Sequence, residues 1–331
     1  MRQWRHYLPN ITPHYAVKSN NDPTLLSWLH QAGASFDCAS PAEIDQVLKI
    51  AAPAHIIYAN PCKSIQDVHH ATAVGIPVTV VDSPEEVAKL QAARWTGSTL
   101  IRLKVPDAGS AQPFSRKFGA PLTWVPEILD ALRVARIPHT GWSFHVGSMC
   151  GQPRQFSEAI AMCAAADKLA PQRAQIVDIG GGFVPGQLES AAAEIRGAQS
   201  LFPATTRWIG EPGRFLSSPV ATLRVTVIGV KRHPDHDGRV YTVDDSVYSG
   251  FSNIPFDGQR PEFRLLTKQR RSPVRATIFG RTCDSADCIA TDILLPELHV
   301  GDILEVANMG AYTTVSASVF NGFPMAKRTY I

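Results

Sequence analysis

Apolar and polar residues alternate in short runs along the first part of the chain. These period-2 stretches mark strand candidates at 14–18, 35–39, 56–60, 78–82, 100–105, 141–147, 176–180 and 207–211. Helical patterns lie between them. Two open on caps: Ser40-Pro41-Ala42-Glu43 and Ser83-Pro84-Glu85-Glu86 each set Ser at the N-cap, Pro at N1 and Glu at N3. Eight alternations of strand and helix predict an α/β architecture, a (β/α)8 TIM-like barrel over residues 1–216. The pattern then changes. Strand signals at 221–231, 239–247, 274–282, 303–307 and 312–318 are separated by turns and not by long helices, which predicts a second, mostly antiparallel, β-sandwich-like domain over residues 217–331.

The chain has 331 residues, with 32 Lys and Arg against 29 Asp and Glu, for a net charge of +3. That length can bury a real core. Hydrophobic residues at 44% and charged residues at 18% fit a globular chain, and the 48 Gly and Pro residues are too few for a low-complexity or collagen-like one. The densest basic run, Lys268-Gln269-Arg270-Arg271, is short and has no aromatic residues between its charges. It reads as a solvated loop, and no nucleic-acid partner is expected. No apolar stretch approaches the roughly 20 residues of a membrane span, and Met1 to His6 lead into no apolar signal core. The expectation is a cytoplasmic protein with no membrane partner. Six cysteines (Cys38, Cys62, Cys150, Cys163, Cys283 and Cys288) form no C-x-x-C pair, so reduced thiols are expected. His233 and His236 stand among Pro234, Asp237 and Gly238 with no third ligand nearby; they read as a polar turn, and no metal site is expected.

In a barrel, active groups project from the C-terminal ends of the strands. In the first strand His14, Ala16 and Lys18 share one face and Tyr15 and Val17 the other, so packing of the apolar pair on the helices points Lys18 into the barrel. In the sixth, Trp142, Phe144 and Val146 face outward and leave Ser143, His145 and Gly147 inside. In the fifth, Arg102 and Lys104 oppose Ile101, Leu103 and Val105. Polar groups so placed need partners, from one another or from a ligand. The seventh strand ends in Asp178-Ile179-Gly180-Gly181-Gly182-Phe183, whose glycines let backbone N–H groups approach a phosphate; alone, they read as a tight turn. The eighth ends in Glu211-Pro212-Gly213-Arg214, a carboxylate and a guanidinium within one turn; alone, a local ion pair. A lysine able to form a Schiff base, a histidine, phosphate-binding glycines and an acid on one rim together suit pyridoxal 5'-phosphate, with the acid on its pyridinium nitrogen. The Gly- and Ser-bearing stretch 106–121 after the fifth strand is expected to form a lid.

With these residues in place, the chain resembles the fold-type III pyridoxal-phosphate decarboxylases, and among them the eukaryotic-type ornithine decarboxylases. The resemblance runs from about Thr12 to the C-terminus. It rests on Tyr15-Ala-Val-Lys18, Phe36-Asp-Cys-Ala-Ser40, Ile57-Tyr-Ala-Asn-Pro-Cys-Lys63, Phe144-His-Val-Gly-Ser148, Asp178-Ile-Gly-Gly-Gly182, Glu211-Pro-Gly-Arg214, Thr282-Cys-Asp284, Gly310-Ala-Tyr312 and Phe320-Asn-Gly-Phe323, in that order. It implies an alanine racemase-like fold, a head-to-tail homodimer with shared active sites, and decarboxylation of a basic amino acid, ornithine (to putrescine, in polyamine biosynthesis) before lysine. By the same resemblance Lys18 carries the cofactor, His145 stacks on its ring and Glu211 pairs with the pyridinium nitrogen. Ser148, Gly182, Arg214 and Tyr312 cradle the phosphate, and Asp37, Arg102, Gly181 and Gly213 complete the cofactor site. Cys283 and Asp284 reach into the neighbouring subunit's site, with Cys283 as proton donor. Phe256-Asp257 resembles the family's specificity segment, in which an aspartate meets the distal ammonium, and Asp284 supplies a second carboxylate. Alone, Asp257 would merely open the turn Asp257-Gly258.

Two departures stand out. Family members carry a segment ahead of the lysine strand that adds a strand to the second domain, whereas 17 residues precede Lys18 here, so that domain is expected to lack the strand or to cover its edge otherwise. The family's Gly-Pro-Thr-Cys-Asp reads Gly280-Arg281-Thr282-Cys283-Asp284, which sets a cation beside the implied substrate end; neutralising one acid there would favour a substrate with a distal carboxylate. The rival activities are decarboxylation of lysine, arginine, diaminopimelate or a siderophore-pathway amino acid. A non-catalytic regulator resembling the antizyme inhibitors is the rival of another class, and the intact Lys18, His145, Glu211 and Cys283 argue against it.

Overall fold

A computed structural model of the chain describes residues 1–266 and 270–331; Lys268 and Gln269 of the basic run lie outside the described residues. The chain divides into two compact units, Met1–Leu216 and Ser217–Ile331.

The first unit contains β1 (Ile11–Ala16), β2 (Ser35–Cys38), β3 (Ile56–Tyr58), β4 (Val78–Val81), β5 (Ser98–Arg102), β6 (Ser110–Gln112), β7 (His139–Ser143), β8 (Ser148–Cys150), β9 (Ile176–Asp178) and β10 (Arg207–Gly210). Among the described residues, eight of these pair in parallel and close into a barrel in the order β1-β10-β9-β7-β5-β4-β3-β2. Ile57, Val80, Leu100, Ile176 and Ile209 form a small apolar cluster of their own. The alternate strand residues, Tyr58, Val81, Ile101, Trp142 and Val177, join the larger core that the helices share, as the pleat requires.

Each barrel strand stops one to four residues before the end expected from its alternation. The reason lies at the rim, where the chain leaves the ladder to turn. After Ala16 it enters a 3-10 turn, Val17–Ser19, so Lys18 does not sit on a strand face as expected. His145 and Gly147 lie beyond the end of β7, yet Phe144 and Val146 still pack outward. Lys104, beyond β5, is exposed and not inside.

The caps behave as two different devices. Ser40 accepts from Glu43 N–H at 3.3 Å, and Glu43 reaches back to Ala39 N–H at 2.6 Å. Ser83 likewise accepts from Glu86 N–H at 3.3 Å. Glu86, however, turns away to form ion pairs with Lys63 at 2.9 Å and Lys89 at 2.5 Å. The Lys63 amine is fully buried and also donates to the carbonyls of Asn60 and Val80, each at 2.8 Å. With every donor met, a buried ammonium is tolerated, and this motif lysine braces β3 against β4.

The expected lid carries structure of its own. β6 pairs antiparallel with β8, Gln112 opposite Ser148 and Ser110 opposite Cys150. Asp107 then accepts from the N–H groups of Phe114 and Ser115 at 2.6 and 2.8 Å.

The second unit contains β11 (Leu223–Arg232), β12 (Arg239–Val243), β13 (Phe263–Leu265), β14 (Pro273–Phe279), β15 (Cys288–Pro296) and β16 (Ile303–Val306). Its strands run β13-β16-β11-β12-β14-β15 among the described residues. β12 and β14 are parallel and the other pairs antiparallel. The long strand β11 changes partner at its bulge: Leu223 to Thr226 pair with β16, and Val227 to Arg232 with β12. Val225, Val227, Tyr241, Phe251, Ile278 and Leu304 sit in its core.

Two strands, β13 and β15, escape the sequence pattern. β15 hides because its alternation breaks at Asp292, in left-handed backbone, and because Leu294 is exposed. Conversely, the strand expected at 312–318 is a turn. Tyr312 has φ 55°, and the Ser316 hydroxyl donates to the Tyr312 carbonyl at 3.0 Å, so local side-chain bonds replace a ladder.

Candidate active site

The rim of the barrel gathers charge. Lys18 Nζ lies 3.4 Å from Asp37 Oδ2, at the end of β2. The other oxygen of Asp37 is buried with no hydrogen-bond partner among the described residues. Arg102 closes β5 with its guanidinium centre 5.2 Å from the Phe118 ring, and the carboxyls of Glu211, Asp82, Asp178 and Asp37 surround it electrostatically.

Three of those acids, Asp37, Asp178 and Glu211, are buried. Burial pushes the Asp178 carboxyl up to about 6, against the opposing pull of its hydrogen bonds with Glu211 and the Gly180 N–H. Burial pushes Glu211 up as well, and the neighbouring charges of Asp178 and Asp37 add to the rise. The two carboxyls share a hydrogen bond, so the pair holds a proton well above the usual carboxylate range.

His145 is held as a neutral ring. Burial, then the charges of Arg102 and Lys18, push its imidazole well below its ordinary value. Gly147 N–H donates to its Nδ1 at 3.0 Å, which leaves the ring proton on Nε2. Phe114 lies against the ring, centroids 4.8 Å apart. A Cβ at Gly181 would stand 2.8 Å from His145 Nε2, so no side chain fits under the imidazole. Gly182, at φ +101°, is similarly constrained by the Gly147 carbonyl, 2.6 Å from where its Cβ would be. Arg214 donates to the Ser148 hydroxyl at 3.2 Å. Lys18, Asp37, Arg102, His145, Gly181 and Glu211 are therefore brought together, and Ser148 with Arg214; Gly213 opens the short helix Gly213–Ser217 that carries Arg214.

In the second unit Asp257 is buried at the end of the helix Asn253–Asp257, which Gly258 closes in left-handed backbone. Asp284 accepts a hydrogen bond from the Tyr248 hydroxyl, which holds its carboxyl below the usual range. Cys283 is exposed, with Sγ 3.5 Å from Asn321 Oδ1. The cation expected beside this end is directed elsewhere: Arg281 stacks on Phe323 at 4.5 Å and donates to the Pro324 carbonyl at 2.6 Å.

Sequence reasoning missed partners of these groups. In the sequence Asp178 is only the opening of the glycine motif, whereas in the fold it closes β9 at the same rim. In the sequence Glu43 is only part of a cap, yet burial pushes it up to about 7 and the charges of Asp37 and Lys18 act on it. Its four-residue spacing from Ala39, one residue past β2, is the signal that places it near Asp37.

A sequence profile described as pyridoxal-dependent decarboxylase, pyridoxal binding domain, matches residues 1–218. Ornithine decarboxylase of Schizosaccharomyces pombe is 38% identical over 99% of this chain and 80% of its own length. Antizyme inhibitor 2 of Xenopus laevis is 35% identical over 98% of this chain and 76% of its own length. Among solved structures, arginine decarboxylase of Paramecium bursaria Chlorella virus bound to agmatine matches with a TM-score of 0.93 at 34% identity, over 97% of this chain and 90% of that one. Lysine/ornithine decarboxylase from Vibrio vulnificus complexed with cadaverine matches at 0.90 and 34% identity, over 98% and 89%.

The raised carboxyl of Asp178 makes a pH prediction. Between its ordinary value of 3.8 and about 6 the folded cofactor-free chain keeps a proton that the unfolded chain has lost. The stability this proton confers is full below the lower value and is lost as pH rises through the upper one. In thermal melts from about pH 4 to about pH 7, Asp178→Asn should therefore lose less stability than wild type over this window. An equal or steeper decline in the variant would show that Asp178 does not hold this proton.

Proposed function

The chain belongs to the pyridoxal-dependent decarboxylases, and from that premise we propose that it removes CO2 from a basic amino acid, converting L-ornithine to putrescine. The observation that carries the reading is the Lys18–Asp37 pair beside the buried acids of the barrel rim. These residues fit pyridoxal 5'-phosphate. Asp178 and Glu211 hold a proton in place of a cation, one Asp37 oxygen has no partner among the described residues, and a glycine floor lies beneath a neutral imidazole.

When bound, the cofactor supplies an electron sink for the carbanion left by loss of CO2. Lys18 Nζ would hold it covalently, with its own charge balanced by Asp37. Glu211 would keep the proton on the ring nitrogen, and the Asp178 hydrogen bond fixes the direction of that carboxyl. His145 offers a flat, uncharged face for stacking, set by the Gly147 N–H and backed by Phe114. We assign the phosphate to Ser148, Gly182 and Arg214 with Gly181 and Gly213 alongside, and to Tyr312 on the family resemblance. Arg102 lines the site and offsets part of the acid charge. Cys283 delivers a proton from Sγ to the substrate carbon.

Substrate choice rests on Asp257 and Asp284. Neither is neutralised by Arg281, whose guanidinium is spent on Phe323 and Pro324, which favours a distal ammonium over a distal carboxylate. Asp257→Ala should lower kcat/KM for ornithine by about 100-fold, as loss of a buried charge partner does, and much less for an analogue without the distal amine. Equal losses, measured as CO2 release, would show that Asp257 does not read the ammonium.

We further assign a head-to-tail homodimer in which Cys283 and Asp284 complete the partner's site, and a cytoplasmic location in keeping with six free cysteines. Among the described residues no helix is long and apolar enough to cross a membrane. Mixing inactive Lys18→Ala with inactive Cys283→Ala chains should restore part of the activity, because one site of each mixed dimer is then intact. No recovery after demonstrated subunit exchange would refute shared sites.

A further inference from the structure

The loop that carries Cys283 is gripped by the segment near the end of the chain. Phe320–Gly322 forms a short turn in which Asn321 and Gly322 both take left-handed backbone, at φ 55° and 73°. The turn presents Asn321 Oδ1 to the Cys283 backbone N–H at 3.2 Å and to Cys283 Sγ at 3.5 Å. It then delivers Phe323 and Pro324 to Arg281, which covers the Phe323 ring at 4.5 Å and donates to the Pro324 carbonyl at 2.6 Å. The backbone of Arg281 is tied down in turn, its N–H donating to the Asp245 carbonyl at 3.1 Å. Arg281 Nε is buried with no hydrogen-bond partner among the described residues. An unmet buried N–H is unfavourable, so the ring and the carbonyl, and not Nε, hold the side chain where it is.

We propose that Arg281 is a positioning residue: it latches residues 320–324 onto the loop 281–284 and, through Asn321, fixes the direction of the Cys283 thiol. The inference rests on the reading of Cys283 as proton donor. An exposed cysteine has one rotatable side-chain bond and three staggered positions for its sulfur. A carbonyl oxygen that accepts from both the backbone N–H and the thiol selects one of them. A proton donor held in one position is within reach of the reacting carbon on every turnover; a mobile one is not. The flat, forked guanidinium suits the latch because it stacks and donates at once, which an ammonium cannot do.

The test compares Arg281→Ala, Arg281→Lys and Phe323→Leu in the full-length, cofactor-loaded enzyme. Alkylation of Cys283 by iodoacetamide is followed by peptide mass spectrometry, with exposed Cys62 of the same chain as the internal reference. Each variant should alter the Cys283 rate relative to Cys62 by about tenfold, the scale of a lost cation–π contact and charge-assisted hydrogen bond. Each should also lower kcat by about tenfold with KM held within about twofold, since proton delivery and not binding is impaired. Asn321→Ala, with Arg281 in place, should reproduce both effects. Phe323→Leu opens the latch from the other side, so misfolding of an Arg281 variant leaves the question decidable. Wild-type behaviour of Arg281→Lys would overturn the proposal, because charge alone would then suffice. So would unchanged Cys283 reactivity in Arg281→Ala, or a change confined to KM. Normal turnover by Cys283→Ala would instead refute the proton-donor reading, while the alkylation rates still decide the latch.

Discussion

Three buried carboxyls crowded at one end of the strands organise the barrel rim. Asp37, Asp178 and Glu211 are 2%, 0% and 8% exposed. Each ionised carboxylate withdrawn from water costs several kcal/mol unless a cation or hydrogen-bond donors meet it. Arg102 and Lys18 meet part of the demand, and a shared proton between Asp178 and Glu211 meets more. The five charged groups come from the turn after β1, from β2, β5 and β9, and from the residue after β10, and closure of the parallel barrel brings them to one rim. A cofactor whose ring nitrogen carries a proton would take over the part that this shared proton plays beside Glu211.

Shape is set by the same few residues. The imidazole of His145 has room only because residue 181 has no side chain, and the Gly147 N–H on Nδ1 fixes its tautomer. The stretch 106–121 contributes by pairing β6 with β8 and laying Phe114 on that ring. The stretch expected to form a lid thus also lies against the histidine.

The barrel was legible because eight short alternating runs and two proline-bearing caps act locally. Strand ends were not, since leaving the ladder at Ala16 or Ser143 depends on neighbouring strands and on turns such as Val17–Ser19. Glu86 shows the limit of local signals: its spacing from Ser83 suits a capping box, but the buried ammonium of Lys63 takes its carboxylate. In the second unit β15 was hidden by a left-handed Asp292, and Tyr312 to Ser318, β-branched and aromatic enough to read as a strand, turns because hydroxyls satisfy its carbonyls. Arg281 was visible as a departure, but its direction was not; only Phe323 and Pro324, some 40 residues away, reveal it.

Everything proposed for the rim beside Asp37 depends on Lys18 as the residue that would hold pyridoxal 5'-phosphate. The direct measurement is borohydride reduction of the cofactor-loaded enzyme followed by peptide mass spectrometry. The expected result is loss of visible absorbance and a pyridoxyl adduct on the peptide containing Lys18. An adduct on another lysine, such as Lys104 or Lys63, with Lys18 unmodified, would contradict it.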